Sequence, residues 1–404
     1  MKRLLLMVAA LGAGAFVVWN FLPRHPAWVD EHVVVASTPE VEVVRTGHLR
    51  SLRVAQVSAD RVYASEDLFL YAGGHGDDGF SSALTYDEPE GALGRVKHLV
   101  GRTRIARMVR GYMGADRLTV LGSGTLVMNY KGALYRAPKG STSFEKVFTL
   151  PDGIEIHPLV MTHDAADIVY FGEFFEAKPG KIASVWQGAD DGRTWRKVYT
   201  YPVDRIGHIH TIVYDRFRNR LWIATGDLDD QSEISWTDDA FTTLHLLVRG
   251  SQDFSTCNLI PLPDRLVWGT HGSVARGKVM GYDFRTEKVE TLAEINRAIW
   301  FATNLQDGTL ALGTTYEPIA PISTADALPK EIALLVSQDG RRWTEVEKFG
   351  AVASKEHLGA SIGYLAPGNA DTNVLYYTPF SVEGADNNSV LRYEVHWRAP
   401  AGAQ

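Results

Sequence analysis

Residues Arg205 to Asp227 read RIGHIHTIVYDRFRNRLWIATGD. Two imidazoles, His208 and His210, open an apolar run that turns back on itself and ends in Gly226-Asp227. Histidine is a common metal ligand and the side chain that most readily carries protons near neutral pH. The hairpin therefore admits three readings: core packing, metal ligation or acid–base catalysis. Alternate residues of a strand point to opposite faces. Both histidines can hold one ion only if His208 lies in the irregular lead-in to the strand. The acids that could work with them are Glu173, Asp227 and Glu317. Two such carboxyls across a cleft can act as general acid and as nucleophile or base in glycoside hydrolysis, with His210 tuning or replacing one role. Alternatively, a His or Tyr removes a proton while a metal or Arg neutralises a uronate carboxylate, which is lyase chemistry. His208, His210 and His271, with Gln252, offer imidazole and oxygen ligands to a divalent metal. His157, Arg205 and Gln252 are the expected substrate-binding residues. Each has a plainer reading. A His that opens a strand is commonly structural, and an Asp after Gly is commonly a turn residue.

What favours function is the repeat that positions these residues. HPLVMTHDAADIVYFGEFF, from His157, aligns with HTIVYDRFRNRLWIATGDL, from His210. In both, a histidine opens one strand and a Gly-acid pair closes the next. NLIPLPDRLVWGTHG, from Asn258, and TLALGTTYEP, ending past Glu317, repeat the shape. The period is about 40–50 residues, the range of propeller blades. Runs rich in Val, Ile, Leu, Tyr and Trp are separated by Asp, Gly, Asn and Pro, as in an all-β protein of many short strands. The expected fold is thus an all-β β-propeller of six or seven four-stranded blades, seven being favoured. The windows are roughly 47–105, 110–150, 155–200, 208–248, 257–292, 299–349 and 357–395, within the blade-length range. The segment around 33–47 is expected to add an outer strand to the last blade and close the ring, removing free sheet edges. The expected division is 1–23 signal peptide or membrane anchor, 24–46 linker and ring-closing strand, 47–398 propeller, and 399–404 tail. If strand one of each blade starts, and strand two ends, on the same face, all the candidate residues converge at one channel mouth.

A second repeated element carries a resemblance. GADDGRTW (Gly188–Trp195) and SQDGRRW (Ser337–Trp343), with a worn copy at WTDDAF from Trp236, resemble the Asp-box, or BNR, repeat of sialidase-like β-propellers. The resemblance implies that the boxes are structural turns on the face opposite the active site. It does not extend to a true sialidase: the nearest match to that family's Arg-Ile-Pro motif is Arg104-Ile105-Ala106, which lacks the proline. The HIH…TGD hairpin followed by a GSQ segment is similar to that of other bacterial propellers of this type.

The bulk properties narrow the partners. The 404 residues include 41 basic and 48 acidic side chains, a net charge of −7, which argues against a nucleic-acid partner. The single Cys257 excludes an internal disulfide. Lys2 and Arg3 before LLLMVAALGAGAFVV form the charged and apolar regions of an export signal, cleaved or retained as an anchor in the inner membrane. Either way the expected location is outside the cytoplasm, periplasmic or secreted. Long basic and apolar stretches elsewhere are few; Arg95–Arg110 reads as a surface element or a landing strip for an anionic polymer. The expected function is an exported carbohydrate-active enzyme, a glycoside hydrolase or polysaccharide lyase, with a polysaccharide or oligosaccharide ligand. The alternative is a non-catalytic scaffold or glycan-binding subunit of an envelope polysaccharide machinery. Trp222, Trp268, Trp300 and Tyr316 are the aromatic residues that could stack on sugars.

Overall fold

The computed structural model describes residues 26–50, 52–66, 69–76, 80, 82–85, 117–130, 132–151, 161–175, 182–271, 277–318, 329–352 and 360–398. The chain starts with two long strands, β1 (Val29–Ser37) and β2 (Val41–Arg50). Five antiparallel four-stranded meanders follow. The first comprises β3 (Arg53–Val57), β4 (Val62–Glu66), β5 (Phe69–Gly73) and β6 (Ser82–Thr85). The second comprises β7 (Arg117–Val120), β8 (Leu126–Tyr130), β9 (Ala133–Ala137) and β10 (Glu145–Thr149). The third comprises β11 (Met161–His163), β12 (Val169–Gly172), β13 (Ser184–Ala189) and β14 (Thr194–Thr200). The fourth comprises β15 (Ile209–Asp215), β16 (Arg220–Thr225), β17 (Glu233–Thr237) and β18 (His245–Arg249). The fifth comprises β19 (Ile260–Pro261), β20 (Arg265–Gly269), β21 (Gly277–Asp283) and β22 (Lys288–Ile295).

The last seven strands and the first two form a single nine-stranded sheet. They are β23 (Ala298–Asn304), β24 (Leu310–Tyr316), β25 (Glu331–Ser337), β26 (Thr344–Gly350), β27 (Ser361–Leu365), β28 (Val374–Phe380) and β29 (Ser389–Trp397), with β2 and β1 added beside β29. The arrangement is a propeller, but five four-stranded sheets stand separately instead of the six or seven expected from the repeat. The reason is local. Thr315 and Tyr316, at the end of β24, pair with Ile362 and Ser361 of β27, which joins two meanders into one sheet. The same sheet carries β2, whose Val41–Arg50 pair with Trp397–Ser389 of β29, so the two ends of the chain share one sheet.

The outer turns follow from turn chemistry. Asp190, Asp191 and Gly192 between β13 and β14 all have positive φ, and Thr194 Oγ1 donates to Asp190 Oδ2 at 2.9 Å. Trp195 Nε1 donates to the Gly192 carbonyl at 3.0 Å, as Trp343 Nε1 does to that of Gly340 at 2.9 Å. Short side chains that bond nearby backbone groups hold such turns. Asp191 also clasps the neighbouring sheet. It accepts from Ser123 Oγ (2.6 Å), Thr125 Oγ1 (2.5 Å) and Arg136 Nη2 (2.8 Å). Between the sheets lies the apolar core, in which Trp222 and Trp268 are buried with Ala224, Ile234, Leu259 and Met280. Those two tryptophans and Tyr316 are buried, so they do not form the sugar-stacking surfaces expected from the sequence; Trp300 is half-buried.

Residues 1–23, the expected signal or anchor, lie outside the described residues, as do 95–110 and the tail 399–404. Among the described residues no helix is long and apolar enough to cross a membrane.

Candidate metal centre

The first strand of the fourth sheet and the end of the second share an end of the hairpin: Ile209 pairs with Thr225, and Gly226 N–H donates to the His208 carbonyl at 3.2 Å. His208 therefore sits in the lead-in, His210 one residue into β15, and Asp227 just beyond β16. Gly226 has φ +81°, and a Cβ there would lie 2.1 Å from the Gln231 carbonyl oxygen. Only glycine lets the chain turn sharply enough to bring Asp227 back over the histidines. The preceding blade fixes the other side. Ile209 N–H donates to the Glu173 carbonyl at 3.2 Å, and a Cβ on Gly172 would lie 2.5 Å from the Ile209 side chain. The glycine of the Gly-acid pair thus serves close approach between blades.

Three residues with ligand-type atoms converge. His210 Nε2 lies 2.9 Å from His208 Nε2 and 3.0 Å from Asp227 Oδ1, and His208 Nε2 lies 3.4 Å from Asp227 Oδ2. Both histidines are buried and Asp227 is half-buried. The Phe175 carbonyl accepts from His208 Nδ1 at 3.1 Å, which puts the neutral ring's proton on Nδ1 and leaves a lone pair on Nε2, aimed at the cluster. A backbone carbonyl behind the far nitrogen is the usual support of a metal-binding imidazole. His210 Nδ1 is buried with no hydrogen-bond partner among the described residues, while its Nε2 faces the Asp227 carboxylate. Burial and the neighbouring His210 push His208 down to about 4. Asp227 is itself penalised by burial, but hydrogen bonding and the charges of His210, His208 and His271 hold it well below the usual carboxylate range.

This donor set fits a divalent cation. For metal–ligand bonds of about 2.1 Å, ligand atoms stand about 3.0 Å apart at right angles and about 3.4 Å at the tetrahedral angle. The nitrogen–nitrogen and His210–Oδ1 separations of 2.9 and 3.0 Å fall on that scale, and the second carboxylate oxygen, Oδ2, faces His208 at 3.4 Å. Imidazole nitrogens with a carboxylate suit a first-row divalent ion.

His271 is the next ring: its centroid is 5.2 Å from that of His210, and it stacks on Trp300 at 5.2 Å with an interplanar angle of 13°. On the other side Phe174 lies 4.3 Å from His208. Trp300, His271, His210, His208 and Phe174 thus form a continuous row of rings drawn from four sheets. Burial, reinforced by the His210 charge, pushes His271 down to about 3. Glu317, beyond β24, is raised by burial and by the Asp227 charge. Both acids also raise the buried thiol of Cys257, whose main cause is its own burial.

The remaining expected site residues separate. Gln252 reaches the cluster from behind: its Nε2 donates to the Asp227 carbonyl at 2.9 Å and positions that residue. Glu173 is buried and committed, accepting from Ser184 N–H (2.9 Å) and Trp186 Nε1 (2.7 Å) with Lys197 at 3.7 Å. It supports the blade and is not presented as a free catalytic carboxyl. Arg205 is committed to Glu233 through Nε (3.1 Å) and Nη2 (2.8 Å). His157 lies outside the described residues. Sequence reasoning missed Phe174 and the Phe175 carbonyl, because a backbone acceptor leaves no residue-type signal.

With that geometry in hand, the comparisons bear on the fold. No protein-family model matches the chain, and no curated protein matches it in sequence. Among solved structures, an oligogalacturonate lyase in complex with manganese is similar at TM-score 0.57 and 10% identity, covering 93% of this chain and 99% of its own. The oligogalacturonate lyase of Vibrio parahaemolyticus gives TM-score 0.57 at 8% identity, covering 95% and 100%. YCF48 bound to D1 peptide gives TM-score 0.50 at 10% identity, covering 91% and 99%. These likenesses define the class: the chain has a β-propeller fold. At such identities they define the fold alone.

Proposed function

We propose that this chain is an exported, metal-dependent, carbohydrate-active propeller that cleaves an acidic polysaccharide by β-elimination. The observation that carries the reading is the convergence of His208 Nε2 and His210 Nε2, 2.9 Å apart, on the Asp227 carboxylate, whose Oδ1 lies 3.0 Å from His210 and whose Oδ2 lies 3.4 Å from His208. A bound divalent ion would draw charge from a uronate carboxylate and so acidify the neighbouring C5 proton. His208, His210 and Asp227 would hold that ion, and Gln252 keeps Asp227 in place. Glu317 takes the C5 proton on its carboxylate. The electron pair left behind forms the C4–C5 double bond as the C4–oxygen bond breaks, and the departing oxygen gains a proton from water. A carboxyl raised toward neutrality is a better base than an ordinary one. The manganese-bound oligogalacturonate lyase, which shares the fold, supports the reading, and the basic and apolar N-terminus supports export.

A second reading is glycoside hydrolysis. Asp227 is held low and Glu317 is held high, and two carboxyls pushed apart in this way divide into nucleophile or base and acid. Incubating the protein with a panel of acidic and neutral polysaccharides separates the readings. Ultraviolet absorbance from an unsaturated uronate end marks elimination; new reducing ends without that absorbance mark hydrolysis. Binding without either product marks the scaffold alternative and contradicts the enzyme.

A further inference from the structure

Residues of several inner strands line a cavity of about 430 Å³. Thr211, next to His210, lines it with Arg117 and Thr119 of β7, His163 of β11 and Asn304 of β23. Arg216 and Asp371 also line it; Arg216 Nη1 lies 3.6 Å from Asp371 Oδ1, and both side chains are more than half exposed. That volume is within the range of small-molecule sites.

Arg117 stands out in the wall. Its Nε–H donates to the Met161 carbonyl at 3.0 Å, which fixes the plane of the guanidinium. Its two Nη atoms make no hydrogen bond or ion pair among the described residues. The charges it senses are Arg53, of the same sign, and the Tyr364 phenol, over which the Arg53 guanidinium sits at 5.0 Å. Burial pushes Arg117 down to about 10, which still leaves it cationic at neutral pH. The other titratable groups in the wall do not cancel this charge. His163 is lowered by burial and bonded to Thr119 Oγ1 at 2.7 Å, and Arg216 and Asp371 pair with each other. Arg117 is half-buried, and its Nη atoms belong to a side chain that lines the cavity.

We propose that the cavity is a second ligand site, distinct from the His208–His210–Asp227 cluster, that takes a small hydroxylated monocarboxylate through the Nη atoms of Arg117. A planar guanidinium fork matches a planar carboxylate, and one uncommitted cation matches one negative charge. Thr119, Thr211 and Asn304 supply hydroxyl and amide partners for an acid the size of a single uronic sugar. The site does not depend on the metal reading, although it would suit the end of an acidic chain.

The test is calorimetric titration of the full-length protein with sodium glucuronate and sodium galacturonate, with glucose as the neutral control. The expected result is uronate binding with glucose about tenfold or more weaker, since a charge-assisted bidentate pair is worth at least that factor. Arg117→Gln should lower uronate affinity at this site about tenfold or more, a loss that persists in chelator-treated protein, where the cluster holds no ion. Arg117→Lys keeps the charge and loses the fork, so it should bind several-fold more weakly; it decides the matter if Arg117→Gln does not fold. Wild-type affinity in both Arg117 variants, equal binding of glucose, or no uronate binding at all would overturn the inference. Uronate binding lost in His210→Ala but kept in the Arg117 variants would place the carboxylate at the cluster, overturning this site and leaving the proposed function standing. Arg117-dependent binding with no cleavage of any polysaccharide would leave this site standing and overturn the enzyme.

Discussion

His208 Nε2 and His210 Nε2 lie 2.9 Å apart although the two residues are separated by one position in the chain. On a regular strand they would face opposite ways. They meet because the register shifts between Ile209 and Thr211, and because the Phe175 carbonyl holds His208 from the neighbouring blade. Two nitrogens at that distance need a proton or a cation between them, and the Asp227 carboxylate adds the negative charge a cation would neutralise.

The metal-free protein should lose stability in acid. The ordinary histidine value is 6.5, and His208 is lowered to about 4 in the fold. Between these values the unfolded chain holds the proton and the folded chain does not, so stability falls as pH falls through that window. At about 1.4 kcal/mol per unit, His208 alone accounts for on the order of 3 kcal/mol. Chemical denaturation of chelator-treated protein at pH 7 and pH 4 measures the drop, and His208→Gln should shrink it. Equal drops in both proteins would show that the His208 titration does not control acid stability.

Glu173→Gln should destabilise the fold without abolishing metal binding. The buried carboxylate accepts from Ser184 N–H and Trp186 Nε1, and an amide cannot accept both as well. A loss of about 1–3 kcal/mol is expected. Unfolding in urea with metal content measured in parallel checks both parts, and unchanged stability with lost activity would restore Glu173 to the catalytic set.

Asp191→Ala tests the clasp between the second and third sheets. It removes the acceptor of Ser123, Thr125 and Arg136, and leaves the buried Arg136 with Glu145 as its carboxylate partner. Losing one partner of a buried charge costs about 3–5 kcal/mol. The melting temperature should fall clearly, with metal content per folded chain unchanged.

Glu317→Gln should separate chemistry from structure. No hydrogen bond ties its side chain into the blade among the described residues, so stability should change by less than about 0.5 kcal/mol. If Glu317 carries the proton, turnover should fall about 100-fold or more. Steady-state rates on the best cleaved polysaccharide, beside a thermal melt, give both numbers.

The repeat made much of this visible in the chain. His210 and Asp227 were placed at one end of a hairpin by the alignment of HPLVMTH with HTIVYDR, and the Gly-acid pairs marked the ends of second strands. What pattern alone misjudged depended on neighbours distant in sequence. Glu173 has the same place in its blade as Asp227, yet Trp186 and Ser184 turn it into a structural acceptor. Arg205 sits close to His208 in sequence, but it is committed to Glu233. The separate sheets numbered fewer than the repeat because the Thr315–Ile362 pairing, between residues far apart in the chain, fuses two meanders. Arg117 carried no motif at all; its interest comes only from the cavity it faces and the partners it lacks.

The central claim is that His208, His210 and Asp227 hold a divalent metal. Elemental analysis of protein purified without chelator, with His210→Ala and Asp227→Asn measured beside it, tests this most directly. The account predicts about one first-row divalent ion per folded wild-type chain and a marked loss in both variants. A wild-type protein with no such ion, and none taken up on dialysis against manganese or zinc, would contradict it, as would variants that keep the wild-type content.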